Sequence, residues 1–278
     1  MAQATRHSGD PNNGVGLTED IEVEYHAAIY AMDETAARWA QHIYSLRLDN
    51  TWFVDHSRST ITPGRELLSL PSTTRRAVHN ELLISFVVIA EPKVNLDALR
   101  QAQSTLSTPL CLAVMFFEDH AVADEIRQIF NGVIVFPEGP TGRGEEACFS
   151  ITALIELILN EGLVCVDVAD VIVAIGQRQY ITASRMLMPE EPSLDEAQRL
   201  IAQTIGAKRL RYTDGVVYIL TPCSRLSMDT LGTVIDAMAT YVNDEAVVVA
   251  GAPRSTITEP SLSLVVFTGF LRIEQQPV

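Results

Sequence analysis

Two carboxylates three positions apart, Asp167 and Asp170, stand in the stretch Glu161-Gly-Leu-Val-Cys-Val-Asp-Val-Ala-Asp-Val171. An Asp that opens a helix, with a second acid three residues on, satisfies free backbone N–H groups and opposes the positive end of the helix dipole. Just before them, Cys165 lies in a loop that leads into a helix start, where a thiol is acidified, but its neighbours Val164 and Val166 predict a packed side chain. Anion chemistry has one local candidate, the turn Gly139-Pro-Thr-Gly142-Arg143-Gly144, which ends where a helical pattern begins. It lacks the Gly-Lys-[Ser/Thr] ending of a phosphate loop and runs into Glu145 and Glu146, which already oppose the helix dipole, so a tight turn is the leading reading. His26, His42, His56, His79 and His120 have no metal-ligand spacing, and no metal is expected. Cys111, Cys148, Cys165 and Cys223 form no C-x-x-C pair and read as reduced thiols.

Composition limits which partners such groups can meet. The 278 residues carry 20 Lys plus Arg against 35 Asp plus Glu, a net charge of −15, which argues against nucleic acid or an anionic membrane surface as partner. The longest apolar runs, Leu82 to Ala90 and Leu110 to Phe117, are too short to cross a bilayer, and the first thirty residues lack a secretory signal pattern. A cytoplasmic protein without membrane insertion is expected.

Residues 1–18 are polar and rich in Gly, Asn and Pro, and read as a flexible tail. Strands are then expected near 21–25, 51–54, 82–90, 110–117 and 133–136, alternating with helices near 36–46, 95–106 and 122–130. That alternation predicts an α/β domain with a mainly parallel sheet covered on both faces. Ile151, Leu154, Ile155, Ile158 and Leu159 form one face of a long helix. Beyond it, Ser193-Leu-Asp-Glu196 opens a helix, and Leu231, Val234, Ile235, Met238 and Val242 stripe another. Strands near 180–187, 215–220, 246–251 and 262–267 complete a second, α+β domain. The expected division is a tail at 1–18, an N-terminal domain at 19–144, a central helix at 145–161, a C-terminal domain at 162–274 and a short tail at 275–278.

The stretch Glu161-Gly162-Leu163-Val-Cys165-Val-Asp167-Val-Ala-Asp170-Val171 resembles the segment G-L-[IM]-N-V-D-F-A-D-V that follows the central helix of FtsZ, the bacterial tubulin relative of cell division. Val247-Val-Val-Ala-Gly251 and Ser263-Leu-Val-Val-Phe-Thr-Gly269 are similar to later strands of that family. The resemblance covers 21 to about 270 and is strongest from about 150 onward. It implies a tubulin/FtsZ-like fold, with a Rossmann-like GTPase domain joined by the central helix to a C-terminal activating domain, in subunits that stack head to tail. It also implies that Asp167 and Asp170 match the acids that position the attacking water on the next subunit's nucleotide. Gly162, Leu163 and Cys165 belong to the same activating loop, and Cys165 stands where the family has Asn.

The family's glycine-rich phosphate loops, by contrast, have no counterpart. In their expected places stand Tyr25-His-Ala-Ala-Ile-Tyr-Ala-Met32 and Glu91-Pro92-Lys93-Val94-Asn95, and no glycine occurs between Gly16 and Gly64 or between Gly64 and Gly132. Backbone N–H groups wrap phosphate where no Cβ intervenes, Pro92 has no N–H, and Glu91 adds a negative charge. Lys93 offsets some of that charge and Asn95 suits a helix cap. GTP is not expected as a bound cofactor, and a self-sufficient GTPase is disfavoured.

The leading expectation is a degenerate FtsZ-like subunit that associates with a filament-forming relative and caps or modulates it through the activating loop. Two alternatives remain at this stage. One is a divergent self-polymerising GTPase with a pocket rebuilt around Arg143 or Lys93, and the other is a nucleotide-independent scaffold that assembles with itself. The chain after Phe270 lacks the family's linker and adaptor peptide, so adaptor-mediated anchoring is not expected.

Overall fold

The buried alternation of the first long strand sets the architecture. In a computed structural model, which describes residues 23–45, 51–55, 79–137, 144–177, 179–222, 226–255 and 261–271, β1 runs Val23–Ala31. Ala27 and Ile29 face one core, and Ala28 and Tyr30 face another. A strand buried on both faces belongs inside a parallel sheet covered by helices on each side.

The elements that follow supply that cover. Helix α1 (Glu34–Ser45) leads to β2 (Thr51–Asp55), then β3 (His79–Ile89), α2 (Leu96–Leu106), β4 (Leu110–Met115), α3 (His120–Arg127) and β5 (Gly132–Val135). The long helix α4 (Gly144–Leu159) then enters the short strand β6 (Gly162–Val164) and α5 (Val168–Ile175). Strand β7 (Gln179–Met188) is followed by α6 (Leu194–Thr204), α7 (Ala207–Arg211), β8 (Gly215–Thr221), α8 (Met228–Ala239), β9 (Val247–Pro253) and β10 (Leu262–Phe270).

Among the described residues the ten strands have the order β2-β1-β3-β4-β5-β7-β10-β8-β9-β6. The β2 to β7 portion is parallel throughout, and β10 runs antiparallel to both β7 and β8. Parallel pairing of Gly132, Val133 and Ile134 with Gln179, Tyr180 and Ile181 carries the sheet from its N-terminal into its C-terminal half.

Three cores result. Leu99, Ala102 and Leu106 of α2, with Ala123 and Ile126 of α3, cover one face of the parallel half. Helices α6 and α8 cover the C-terminal half through Ala197, Ile201, Leu231 and Val234. The third core joins α1 and α4 to residues of both halves, from Ile29 and Phe86 to Val217 and Phe267.

The sequence pattern predicts one apolar face on α4. Its burial is wider, taking in Ser150, Thr152 and Glu156 as well as Ile151, Leu154 and Ile155, because the helix packs on β1, β3, β7, β8 and β9 together. Among the described residues no helix is long and apolar enough to cross a membrane.

Candidate functional site

Helix α1 covers one face of the sheet and α2 the other, while β1 and β3 lie side by side. The chain therefore departs in opposite directions beyond the C-terminal ends of these two strands, the switch point where open α/β sheets form their ligand crevice. The segment 25–32, expected from sequence as the first loop, is instead almost wholly strand. The connection from β1 to α1 is only Met32 and Asp33. Extended backbone wins there because Ala27, Ala28, Ile29 and Tyr30 are all at most 3% exposed, so burial on both faces outweighs any tendency to turn.

Asp33 spans the crevice. One carboxylate oxygen, Oδ1, accepts from the backbone N–H of Ala36 at 2.7 Å, in the first turn of α1. The other, Oδ2, accepts from the backbone N–H groups of Ala90 at 2.8 Å and Glu91 at 3.2 Å, just past β3. A backbone bond from Met32 N–H to the Val88 carbonyl, 3.0 Å, joins the same two turns. Glu91, Pro92 and Lys93 are exposed. Asn95 caps α2 as expected, its Oδ1 accepting from the N–H groups of Asp97 and Ala98 at 3.1 and 3.2 Å.

An aromatic group fills the adjoining space. Trp39 of α1 meets Phe116 edge-on at a centroid distance of 4.9 Å, and Phe116 stacks on Phe136 at 5.7 Å. Trp39 Nε1 donates to the Gly144 carbonyl at 2.9 Å, tying α1 to the start of α4. Gly144 is thus a buried helix-start residue, whereas Gly142 and Arg143 of the expected anion turn lie outside the described residues. Glu146 Oε1 accepts from the Arg185 N–H of β7 at 3.3 Å.

At the other end of α4 the loop over residues 162–167 alternates in and out of the protein. Val164 packs on the C-terminal core and Val166 on the shared core. Cys165 between them is exposed, its Sγ 3.8 Å from the Gly162 carbonyl, which corrects the expectation of a packed thiol. Two flanking valines that both turn inward leave the residue between them facing water. Leu163 is likewise 50% exposed.

Gly162 permits the close approach of β6 to β9, since a Cβ there would lie 2.2 Å from the Ala252 carbonyl oxygen. Asp167 and Asp170 form a capping box at the head of α5. Asp167 Oδ1 accepts from the Ala169 N–H at 2.9 Å, and Asp170 Oδ2 from the Asp167 N–H at 3.3 Å. Both acids are exposed, so their remaining oxygen lone pairs face solvent. Beside the loop lies a cavity of about 410 Å³ lined by Glu161, Gly162, Leu163, Pro222, Leu226, Ala252, Pro253 and Arg254, which the sequence did not signal.

The remaining candidates form no further centre. Among the described residues no group of three or more His, Cys, Asp or Glu side chains is placed to hold a metal. His26 is buried and His42 and His120 are exposed, while His56 and the side chain of His79 fall outside what is described. Cys111 and Cys148 are buried free thiols, and Cys223 lies outside the described residues. The bridging role of Asp33 between the two turns is not legible in the sequence. Its local signal was an Asp between a strand and an amphipathic helix, but its partner turn lies far along the chain.

No protein-family model matches the sequence, and no curated protein is significantly similar to it. Solved structures are similar in fold. An empty FtsZ dimer from M. jannaschii aligns with a TM-score of 0.63 at 10% identity, covering 89% of this chain and 88% of that one. CetZ from Methanosaeta thermophila aligns at 0.58 and 11%, covering 89% and 87%. TubZ of Bacillus thuringiensis serovar israelensis, solved as GDP-form protofilaments, aligns at 0.58 and 11%, covering 92% and 89%. With its parallel half, central helix and mixed C-terminal half in one continuous order, this chain has the FtsZ/tubulin fold.

Proposed function

We propose that the protein is an FtsZ-like pseudo-GTPase that binds a filament-forming relative and caps or modulates its assembly through the acidic activating loop. The observation that carries this reading is the glycine-free pair of turns at the switch point. Met32–Asp33 and Ala90–Pro92 offer no cradle of free amides, because the N–H groups of Ala36, Ala90 and Glu91 are already bonded to Asp33. Among the described residues, those at the switch point do not fit a nucleotide polyphosphate. Its charge would meet the carboxylates of Asp33 and Glu91, and two like charges about 4 Å apart repel by about 4 kcal/mol at the effective dielectric of a protein surface.

The opposite end of the molecule supports the other half of the reading. Asp167 and Asp170 are exposed and form the capping box at the head of α5, so they can face a nucleotide that another subunit holds. A subunit with one competent end joins a filament end and does not extend it.

Calorimetric titration with GTP and GDP at physiological Mg²⁺ tests the first half, with no binding up to millimolar nucleotide expected. Mixing with an FtsZ-type GTPase, and following light scattering and phosphate release, tests the second. Altered assembly that Asp167→Asn abolishes supports it. Unchanged assembly at equimolar mixing rejects it, and sedimentation of the protein alone without nucleotide would point to a self-assembling scaffold.

A further inference from the structure

The three amides at the switch point come from two turns that are remote in sequence. Ala36 donates from α1, and Ala90 and Glu91 donate from the end of β3. All three converge on one carboxylate, which both caps the helix and bridges to the neighbouring strand. Charge-assisted bonds of this kind are shorter and stronger than neutral ones, and they satisfy donors that would otherwise be available to a ligand.

We propose that Asp33 is a built-in anionic plug: its carboxylate occupies the oxyanion position of the β1/β3 crevice and so bars phosphate-bearing ligands from it. This deepens the reading of the crevice in the proposed function by assigning the exclusion to one removable side chain rather than to absent glycines alone. Replacing that side chain leaves three N–H groups from two turns around an empty, anion-sized space. The ligand admitted is a small oxyanion such as inorganic phosphate.

The experiment compares thermal unfolding of the full chain and of its Asp33→Ala and Asp33→Gly variants in chloride and in inorganic phosphate at matched ionic strength. The folding constant of Asp33→Ala is expected to rise about tenfold when phosphate stands about ten times above its dissociation constant, because the ligand binds only the native state. Asp33→Gly, which vacates the same position, is expected to respond in the same direction, and the native chain is expected not to respond. A Ser193→Ala variant, which uncaps α6 through loss of the Ser193 Oγ bond to the Glu196 N–H, serves as control and is expected to show no phosphate response.

Folded Asp33 variants that ignore phosphate overturn the proposal, as does a native chain or a Ser193→Ala variant that responds like Asp33→Ala. Hydrogen exchange on the native chain adds a test that needs no variant. Slow exchange is expected at Ala36, Ala90 and Glu91, and fast exchange at Ala90 and Glu91 refutes the plug. The outcomes separate from those of the proposed function: GTP binding by the native chain rejects the pseudo-GTPase, whereas phosphate-blind Asp33 variants reject only the plug.

Discussion

The carboxylate of Asp33 accepts a hydrogen bond from the backbone N–H of Ala90, 57 residues further along the chain, at 2.8 Å. One side chain thereby ties the turn after β1 to the turn after β3. Asp33→Ala removes a helix cap and leaves two more amides without their acceptor, so a loss of about 2–3 kcal/mol is expected. Asn95→Ala, which removes only an exposed cap, should cost about 1 kcal/mol. Urea unfolding of the two variants checks the ranking.

Gly162 is expected to tolerate no side chain. The Cβ of Gly162→Ala would fall 2.2 Å from the Ala252 carbonyl oxygen and 2.6 Å from the Pro253 Cα, both backbone atoms that cannot step aside alone. A loss of about 1–3 kcal/mol follows from such overpacking. Hydrogen exchange at Arg254, whose N–H donates to the Glu161 carbonyl at 3.0 Å, should quicken in the variant.

The capping role of Asp167 can be separated from its proposed role at a partner's nucleotide by amide substitution. Asn caps a helix about as well as Asp, so Asp167→Asn should stay within about 0.5 kcal/mol of the native chain, while Asp167→Ala should lose about 1 kcal/mol. If the loop acts on a partner's nucleotide, both variants lose the effect on that partner's GTP turnover. Retention of the effect by Asp167→Asn would assign the carboxylate to capping alone.

Thiol chemistry should distinguish the cysteines. Burial pushes the Cys111 thiol up to about 11, and burial with the nearby Glu145 charge pushes Cys148 up to about 12. Cys165 is exposed. Near pH 8 a thiol reagent should modify Cys165 within minutes, and Cys165→Ser should remove one fast-reacting group. Cys111 and Cys148 should react only on unfolding.

Stability should fall in strong base. Burial, then the Glu118 charge, push the Tyr180 phenol up to about 12 against the partial opposition of Arg209; burial, then the Asp236 charge, push Tyr218 to about 12. The unfolded phenols ionise near pH 10, so the stability from keeping them neutral is whole below that pH and is lost as the pH rises through about 12. Unfolding midpoints measured from pH 9 to 12 should drop, and less steeply in Tyr218→Phe.

Much of this molecule was legible from local pattern. The capped start of α2 at Asn95, the burial of Leu154 and Ile155 and the switch from a parallel to a mixed sheet follow from residue period and cap chemistry, which act within a turn or a strand. The likeness of residues 161–171 to the FtsZ activating loop pointed to the fold that the solved structures share. The extent of β1 is less legible, because Tyr25-His-Ala-Ala-Ile-Tyr-Ala-Met32 has the composition of a strand while the family resemblance places a loop there. Cys165 departs from its expected packing for a related reason, since burial of a residue's neighbours says which way they face and therefore which way it does not.

By itself the sequence determined most of the helices and strands, the strongly acidic balance and the absence of glycine from both expected phosphate turns, because these are properties of residues and their near neighbours; β6 and α7 carried no such signal. Tertiary structure alone decided that Asp33 meets Ala90 and Glu91, that Trp39 reaches Gly144, and that α4 is covered by both halves of the sheet. Those contacts join segments whose proximity depends on parallel strand order, and strand order is set by how buried faces pair across the whole sheet rather than by any local preference.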